Sequence, residues 1–282
     1  MMKCEISKDI EIICLALNLT KQELANKIAV PFETISRIVN GHVEPSKEIL
    51  EKFYGFSYNK GIRLNQSKVD VYKKNHNVVL FHGSKKGIIG DLSLDFSRDD
   101  LDIGRGFYTT ENYLTALEFV STYDDSSVYV LDCNNTDLKI LKIDVSLDWM
   151  LCIAYNRGLL EDFKNTKKYQ QISVMLDSFD VIIAPIADNR MFDTIELFVD
   201  GGITSETAVK ALNSLHLGNQ IVFKSEKAIQ HLKILECLYL SKPEKEDALK
   251  LKVLAVEEGV NNARDIYRNN AKQGLTVGEV FE

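Results

Sequence analysis

Two short amphipathic segments near the start of the chain are separated by only three residues, Ile28-Ala29-Val30. Thr20 precedes the first segment in the position of a helix N-cap, and Glu23 completes a capping box with it. Pro31 opens the second segment, where its missing backbone N–H costs nothing because the first helical turn leaves that donor unpaired. Two short helices joined so closely form a helix-turn-helix pattern. The pattern predicts a small all-α domain over residues 1–56.

The sequences of these segments, Thr20-Lys-Gln-Glu-Leu-Ala and Thr34-Ile-Ser-Arg-Ile-Val-Asn-Gly-His, resemble the repressor-type helix-turn-helix family, the class of the phage repressors and Cro. The resemblance covers residues 6–56. In that family, the start of the third helix enters the major groove of DNA. The resemblance therefore implies that DNA is contacted by these side chains: Gln22, Phe32, Glu33, Thr34 and Arg37.

The charge of this helical domain argues against strong binding of DNA by a single copy. Residues 1–60 contain eight basic and eight acidic side chains, so they have no net charge, and the whole chain has a net charge of −7. Neutralisation of phosphates supplies most of the non-specific affinity for DNA. A protein-interaction or dimerisation module is therefore the alternative interpretation of these helices.

Residues 57–77 are polar and form the most basic stretch of the chain. Five of their side chains are basic and face only Asp70 as an acid, namely Lys60, Arg63, Lys68, Lys73 and Lys74. The composition predicts a solvated linker, with a nucleic-acid-facing arm as the alternative.

The middle of the chain has a different pattern, in which short strand-like runs alternate with helical stretches. The runs are apolar and short, at 78–81, 128–131, 138–143, 181–184 and 221–223. They predict an α+β domain over residues 78–240, followed by a helical extension over 241–282. The Gly-x-Gly-x-x-Gly sequence of a dinucleotide-binding βαβ unit is absent, which argues against binding of a nicotinamide cofactor in the manner of dehydrogenases.

Two loops of this domain carry candidate functional residues. The run Val78–Phe81 ends in His82-Gly83-Ser84, so we expect a buried strand to deliver a histidine to a loop. Gly104-Arg105-Gly106 precedes an aromatic-rich strand that contains Phe107 and Tyr108. This glycine-flanked cation is not a Walker phosphate loop, because no Gly-Lys-Ser/Thr sequence follows it.

These loops resemble the first two signature segments of the ADP-ribosyltransferase superfamily, in its diphtheria-toxin and poly(ADP-ribose) polymerase branch. The residues that carry the resemblance are Phe81-His82-Gly83-Ser84 and Gly104-Arg105-Gly106-Phe107-Tyr108-Thr109-Thr110, with Ala116 and Phe119. The third segment of that branch is similar to Leu217–Phe223 and the helical residues that follow. The resemblance implies a split antiparallel β-sheet with helices, and NAD as a co-substrate.

More closely, residues 78–236 resemble a bacterial domain-of-unknown-function family, number 3990, whose typical run is close to Phe179–Arg190. In that run, Asp188, Asn189 and Arg190 follow an apolar strand, which is a usual place for site residues. The alternative is an ordinary turn after Pro185.

The resemblance implies contacts to NAD from these residues: His82, Gly83, Ser84, Arg105, Gly106, Tyr108 and Phe119. It places His82 on a ribose hydroxyl and the backbone of Gly83 on the nicotinamide amide, with Arg105 on the pyrophosphate. Tyr108 and Phe119 would flank the nicotinamide ring, since aromatic faces attract a planar cation by about 0.5–2 kcal/mol each. Plain core packing is the alternative for these two aromatic residues.

Gln220 departs from the pattern, because many active members of the superfamily have a glutamate at this position. A glutamine can orient a ribose hydroxyl, but it cannot act as a general base or carry a full negative charge. With His82, Tyr108 and Gln220 as the catalytic residues, we expect mono-ADP-ribosylation or NAD hydrolysis rather than polymer synthesis. Glu226 is a substitute acid, or else an exposed acid at a helix start.

The cysteine and histidine spacings predict no metal site. Five cysteines occur without a Cys-x-x-Cys pair, and the five histidines lack metal-ligand spacing. The scattered cysteines are interpreted as free thiols, which are typical of a reducing compartment. The sequence has no signal peptide, and no apolar run approaches the ~20 residues that cross a bilayer. Together these features predict a cytoplasmic protein.

Three functions remain open from the sequence. The first is an NAD-dependent mono-ADP-ribosyltransferase with a protein or nucleic-acid acceptor, acting as a toxin or phage-defence effector. The second is a DNA-binding regulator whose second domain only senses a nucleotide. The third is an interaction-only assembly part that uses the neutral helical domain and the tail. The tail has an apolar stripe that needs a partner surface, which is the enzyme domain, a second copy or an antitoxin; the stripe is formed by Leu249, Val253, Val256 and Val260.

Overall fold

The computed structural model describes residues 5–134, 136–215, 218–253 and 273–282, without the side chains of residues 189 and 190. The chain forms two compact units. The first unit comprises Met1–Asp91, Asn112–Cys133 and Lys233–Lys252, and the second comprises Leu92–Glu111, Asn134–Leu232 and Val253–Glu282. Each unit is therefore assembled from stretches that are far apart in the sequence.

The first unit begins with the four helices that the sequence predicts: α1 (Ile6–Ala16), α2 (Lys21–Lys27), α3 (Phe32–Val39) and α4 (Lys47–Asn59). The capping box at Thr20 and Glu23 is present, and Ala29 turns the chain between α2 and α3 with a φ of 51°. Leu24 and Ile35 are fully buried in the core between the helices. The predicted helix-turn-helix geometry is thus confirmed.

Residues 57–77, which the sequence predicts to be a solvated linker, are largely helical. They contain the end of α4 and all of α5 (Leu64–Asn75). Leu64 and Val69 are buried, and Lys68 is only 13% exposed because it pairs with buried carboxylates. Helix α5 therefore has one buried side, although its overall composition is polar.

A three-stranded sheet completes the first unit. Its strand order is β1 (Val79–Ser84), β3 (Ser127–Cys133), β7 (Leu232–Tyr239), and β1 pairs antiparallel with β3. Helix α6 (Tyr113–Val120) packs on β1. Helix α12, described over 242–253, follows β7.

The second unit contains a four-stranded sheet with the order β2 (Phe107–Thr109), β6 (Asn219–Phe223), β5 (Val181–Pro185), β4 (Ile140–Lys142). The β2–β6 and β5–β6 pairs are antiparallel, whereas the β4–β5 pair is parallel. The sheet is therefore mixed rather than purely antiparallel as expected. The physical reason is the connection between β4 and β5, which runs through two helices and is long enough for a parallel crossover.

Helices surround the core of the second unit: α7 (Leu147–Asn156), α8 (Lys167–Asp177), α9 (Asn189–Val199), α10 (Ser205–Asn213), α11 (Glu226–Ile229) and α13 (Val277–Phe281). Trp149, Phe198 and Val222 are completely buried in this core. The fold class is α+β, as predicted. Val256 and Val260 of the predicted apolar stripe lie outside the described residues.

Candidate functional site

The end of β1 is closely covered by α6. Phe81 is fully buried, and its ring meets the ring of Tyr113 edge-on at 5.9 Å. A Cβ atom on Gly83 would lie 2.6 Å from the carbonyl oxygen of Ala116 and 2.9 Å from Cγ1 of Val120. Glycine at position 83 is therefore required for helix and strand to approach so closely.

The neighbours of Gly83 in the first unit occupy partly exposed positions. His82 is half-buried on β1, opposite Tyr129 of β3, and Ser84 is half-buried opposite Ser127. Phe119 on α6 is 61% exposed, so core packing does not describe it.

A lysine lies over the exposed ring of Phe119. Lys85 Nζ is 5.6 Å from the centroid of that ring and 4.5 Å from the centroid of Tyr123. The ring of Phe119 thus takes part in a cation–π contact with a lysine of the same unit. No sequence pattern marks Lys85 or Tyr123, because neither belongs to a signature segment.

In the second unit, Tyr108 forms hydrogen bonds with the Asp102–Gly106 loop, which precedes β2. Its hydroxyl donates to the Gly104 carbonyl oxygen over 2.6 Å and accepts from the Ile103 N–H over 3.1 Å. Burial raises the pKa of Tyr108, so the phenol is neutral at physiological pH. Its ring packs against the core, which agrees with the alternative interpretation of this residue.

Gln220 reaches the same loop from the neighbouring strand. Tyr108 pairs with Val222, so Gln220, two residues earlier on β6, faces the same side of the sheet as Tyr108. The Gln220 side chain is buried, and its Nε2 donates to the Pro185 carbonyl oxygen over 3.1 Å and to Asp102 Oδ2 over 3.4 Å. Signature segments that are far apart in sequence therefore meet at the Asp102–Gly106 loop.

The start of this loop is held by a pair of residues at the end of α7. Asp102 Oδ1 accepts from Arg157 Nη2 over 2.6 Å and from Arg157 Nε over 3.2 Å. Asn156 Nδ2 donates to the Asp102 carbonyl oxygen over 3.1 Å. Gly104 has a φ of +69°, and a Cβ atom there would lie 2.7 Å from Asn156 Oδ1.

The roles of Asp102, Asn156 and Arg157 do not follow from any motif in the sequence. The available signal was weak, because only the glycine at position 104 marked an unusual backbone.

Lys224 adds another contact to the loop. Its Nζ donates to the Ile103 carbonyl oxygen over 2.6 Å, and burial lowers the pKa of this ammonium. A Cβ atom on Gly106 would lie 2.4 Å from Cγ1 of Val222, so this second glycine allows the loop to enter β2. Contacts at Asp102, Ile103, Gly104 and Gly106 thus fix the loop backbone on both sides of Arg105.

Arg105 has a half-exposed side chain on this fixed loop. Its Nε donates to the Leu94 carbonyl oxygen over 3.3 Å, and its Nη2 lies 3.6 Å from Asp95 Oδ1. Asp95 is 78% exposed, so this ion pair is weakly held. The guanidinium is accessible to an anion.

The predicted auxiliary acids have local partners. Glu226 Oε1 accepts from the Leu94 N–H over 3.3 Å, and Glu226 is the first residue of α11, as its alternative interpretation has it. Asp188 Oδ1 accepts from the Met191 N–H over 3.1 Å at the start of α9. The side chains of Asn189 and Arg190 lie outside the described residues.

Residues 78–234 match the family described as protein of unknown function (DUF3990), which is more than half of the chain. The chain belongs to the DUF3990 family. Residues 10–53 match a helix-turn-helix family, which supports a DNA-binding helix-turn-helix at the start of this DUF3990 protein. No curated protein and no solved structure matches the chain.

The helix-turn-helix attached to the DUF3990 segment exposes most of the predicted DNA contacts. Gln22, Phe32, Glu33 and Arg37 are exposed, whereas Thr34 is half-buried. Gln22 Nε2 donates to Asn26 Oδ1 over 3.3 Å along the same helix. The face is therefore available to a partner.

Metal ligands and membrane spans are absent from the described part of this DUF3990 protein. No group of three histidine, cysteine or carboxylate side chains there could hold a metal ion. Among the same residues, every helix is too short or too polar to cross a bilayer.

Proposed function

We propose that this DUF3990 protein is an NAD-dependent mono-ADP-ribosyltransferase that also carries a DNA-binding helix-turn-helix. One observation carries the proposal. Tyr108 and Gln220, which the resemblance assigns to two separate signature segments, lie on adjacent strands and both hydrogen-bond to the Asp102–Gly106 loop. A fixed loop of this kind presents Arg105 in a defined place, and positioning of reactants is a large source of catalysis.

The chemistry requires few reactive groups from the protein. The bond between C1′ of the ribose and the nicotinamide nitrogen breaks, and its electron pair leaves with nicotinamide. An acceptor atom then bonds to C1′ and loses its proton to solvent, through an oxocarbenium-like state similar to that of glycoside cleavage. Arg105 would bind the pyrophosphate and Gln220 would accept a hydrogen bond from the ribose.

Within this proposal, the resemblance also assigns His82 to a ribose hydroxyl. Gln220 limits the reaction to one transfer or to hydrolysis, because a glutamine cannot remove a proton from the next acceptor hydroxyl. By analogy with related bacterial families, such an enzyme would act as a toxin or a phage-defence effector.

The test is incubation of the full chain with NAD labelled in its adenine, with nicotinamide release and label transfer measured on protein and nucleic-acid acceptors. We expect His82→Ala to abolish both signals and Tyr108→Phe to reduce them. Tyr155→Phe is the matched control, since this partly buried tyrosine packs on Tyr169 and does not bind the loop. Failure of the wild-type chain to release nicotinamide or transfer label refutes the proposal, and release without transfer indicates an NAD glycohydrolase.

A second candidate function is a DNA-binding regulator whose DUF3990 segment senses a nucleotide without turnover. The observation in its favour is the exposed face of α3, which carries Phe32, Glu33 and Arg37. We expect salt-sensitive binding to a palindromic site in the promoter of its own gene. Unchanged migration of that DNA at low salt would refute this candidate.

A further inference from the structure

The position of a buried carboxylate beside Gln220 explains how a glutamine can serve in this site. We propose that Asp102 is a positioning residue that fixes the Gln220 carboxamide with its nitrogen inward and its oxygen, Oε1, as the end that accepts a hydrogen bond. This inference rests on the proposed transferase function.

The first step is the pattern of hydrogen bonds around Gln220 Nε2. Its two partners, the Pro185 carbonyl oxygen at 3.1 Å and Asp102 Oδ2 at 3.4 Å, are both acceptors. The carboxamide nitrogen has two N–H donors, so both are used. The reversed carboxamide would bring Oε1 against two oxygens, which repel it. Only one orientation is therefore compatible with these neighbours.

The second step concerns how Asp102 is itself held. Asp102 is buried, and Arg157 binds its other oxygen, Oδ1, through Nη2 at 2.6 Å and Nε at 3.2 Å. Both Arg157 nitrogens bind this one oxygen, so the guanidinium compensates the charge of the carboxylate from that side. The centre of the Arg157 guanidinium lies 5.5 Å from the ring centroid of Phe192, which supports it from another side. Oδ2 thus remains directed at Gln220.

The third step is electrostatic. A hydrogen bond from an amide N–H to a carboxylate polarises the amide and increases the negative character of its oxygen. Gln220 then presents one acceptor oxygen in the way that a glutamate would. A glutamate at position 220 would instead place a second negative charge 3.4 Å from Asp102. Asp102 and glutamine at position 220 are therefore a matched pair, which accounts for the departure from the usual glutamate.

The experiment uses the full chain and steady-state nicotinamide release from NAD. Asp102→Asn should lower kcat by about 100-fold, as expected for a misplaced catalytic group, with a smaller change in KM. Gln220→Glu, which places a carboxylate oxygen against Asp102 Oδ2 and the Pro185 carbonyl oxygen, should also lower kcat. Asp148→Asn is the matched control, because Asp148 is an exposed carboxylate paired with Lys168 at 2.8 Å in the same unit. Melting temperatures of all variants verify that they fold.

A second readout keeps the inference separate from the proposed activity. The side-chain amide resonances of Gln220, assigned by NMR with Gln220→Ala, should shift in Asp102→Asn and stay unchanged in Asp148→Asn. If the wild-type chain releases no nicotinamide, the proposed function fails while the amide resonances still test the Asp102–Gln220 pair. The inference is overturned if the wild-type chain is active and Asp102→Asn is equally active. It is also overturned if the Gln220 amide resonances are the same in the wild type and in Asp102→Asn.

Discussion

The ammonium of Lys68 lies 2.5 Å from the carboxylate of Asp9 and joins helix α5 to helix α1 of the helix-turn-helix. On its other side, Lys68 Nζ is 2.6 Å from Glu236 Oε1 on β7. Asp9 and Glu236 are almost completely buried, and each also accepts from a tyrosine hydroxyl, Tyr54 for Asp9 and Tyr72 for Glu236. The helix-turn-helix is therefore bonded to the sheet of the first unit.

Lys68→Met is expected to destabilise the chain strongly. Removal of the ammonium leaves two buried carboxylates without a counter-charge, and breaking a buried ion pair in this way costs about 3–5 kcal/mol. Urea unfolding followed by circular dichroism measures the change in the free energy of unfolding. Lys8→Met is the control, since Lys8 forms an exposed pair with Glu5 and its loss should leave the unfolding midpoint unchanged. Equal midpoints for the two variants would contradict the assigned role of Lys68.

The stability of the first unit should fall between about pH 4.5 and pH 7 because of Glu244. Burial raises the pKa of Glu244 from 4.5 to about 7, although Tyr113 and Asn65 donate to its carboxylate. The folded state therefore binds a proton more tightly than the unfolded state. The stabilisation is complete below the unfolded pKa and is lost as the pH rises through the folded pKa, with a total of about 3 kcal/mol.

Glu244→Gln should remove this part of the pH dependence. Melting temperatures at pH 5 and pH 7.5 measure it, and the difference between the two pH values should be smaller in the variant than in the wild type. Glu246→Gln, at a more exposed acid on the same helix, should keep the wild-type difference. The prediction would be contradicted if the wild type were more stable than Glu244→Gln at pH 7.5 and less stable than it at pH 5. Glu244 would then stabilise the fold when it is ionised, not when it is protonated.

Gly83→Ala should separate α6 from β1. The added methyl group meets the Ala116 carbonyl oxygen at 2.6 Å, and backbone at that position cannot give way cheaply. Overpacking of this kind costs about 1–3 kcal/mol, which thermal unfolding detects. Gly278→Ala is the control, because nothing lies within 4 Å of its Cβ position and alanine favours the helix. The variants should therefore shift the melting temperature in opposite directions.

Arg37→Ala should weaken DNA binding by the helix-turn-helix. Loss of one phosphate contact lowers the salt-dependence slope of log K by about 1, whereas loss of a base contact costs about 1–3 kcal/mol and relaxes specificity at one position. Fluorescence anisotropy with a promoter duplex at several salt concentrations distinguishes the two roles. Lys8→Ala provides an exposed cation outside α2 and α3 for comparison. An affinity that is the same for Arg37→Ala and wild type at every salt concentration would remove Arg37 from the interface.

Cys133 and Cys152 should resist thiol reagents in the folded chain. Burial raises the pKa of Cys133 to about 11 and that of Cys152 to about 12, so very little thiolate forms at pH 8. Mass spectrometry after brief treatment with iodoacetamide should find both unmodified, and both should react in urea. Rapid labelling of either thiol without denaturant would contradict their burial.

Local signals made the start of the chain predictable. The capping box at Thr20 and the short connection between α2 and α3 each depend on only a few neighbouring residues. No such local signal marks the buried face of α5, because the partners of Lys68 are Asp9 and Glu236, which lie far away in the sequence. A buried lysine and a solvated lysine look alike until those partners are known.

In the candidate site too, some residues are marked by local sequence and others only by contacts with distant residues. Tyr108 and Gln220 belong to recognisable segments, and the sequence brought out both. Asp102, Asn156 and Arg157 act through contacts between the loop and α7, which no local pattern encodes. The parallel pairing of β4 with β5 was hidden for a related reason, since it depends on how a long connection returns to the sheet.

The pairing of Lys68 with both Asp9 and Glu236 has a consequence for biosynthesis. During translation, the ribosome completes α1 and α5 long before it adds β7, so an emerging N-terminal fragment has Asp9 as a counter-ion for Lys68 but not Glu236. The environment of the first helix is therefore completed by one of the last strands to be synthesised. A nascent chain cut off before β7 would leave Tyr72 and Lys68 without the carboxylate that they share.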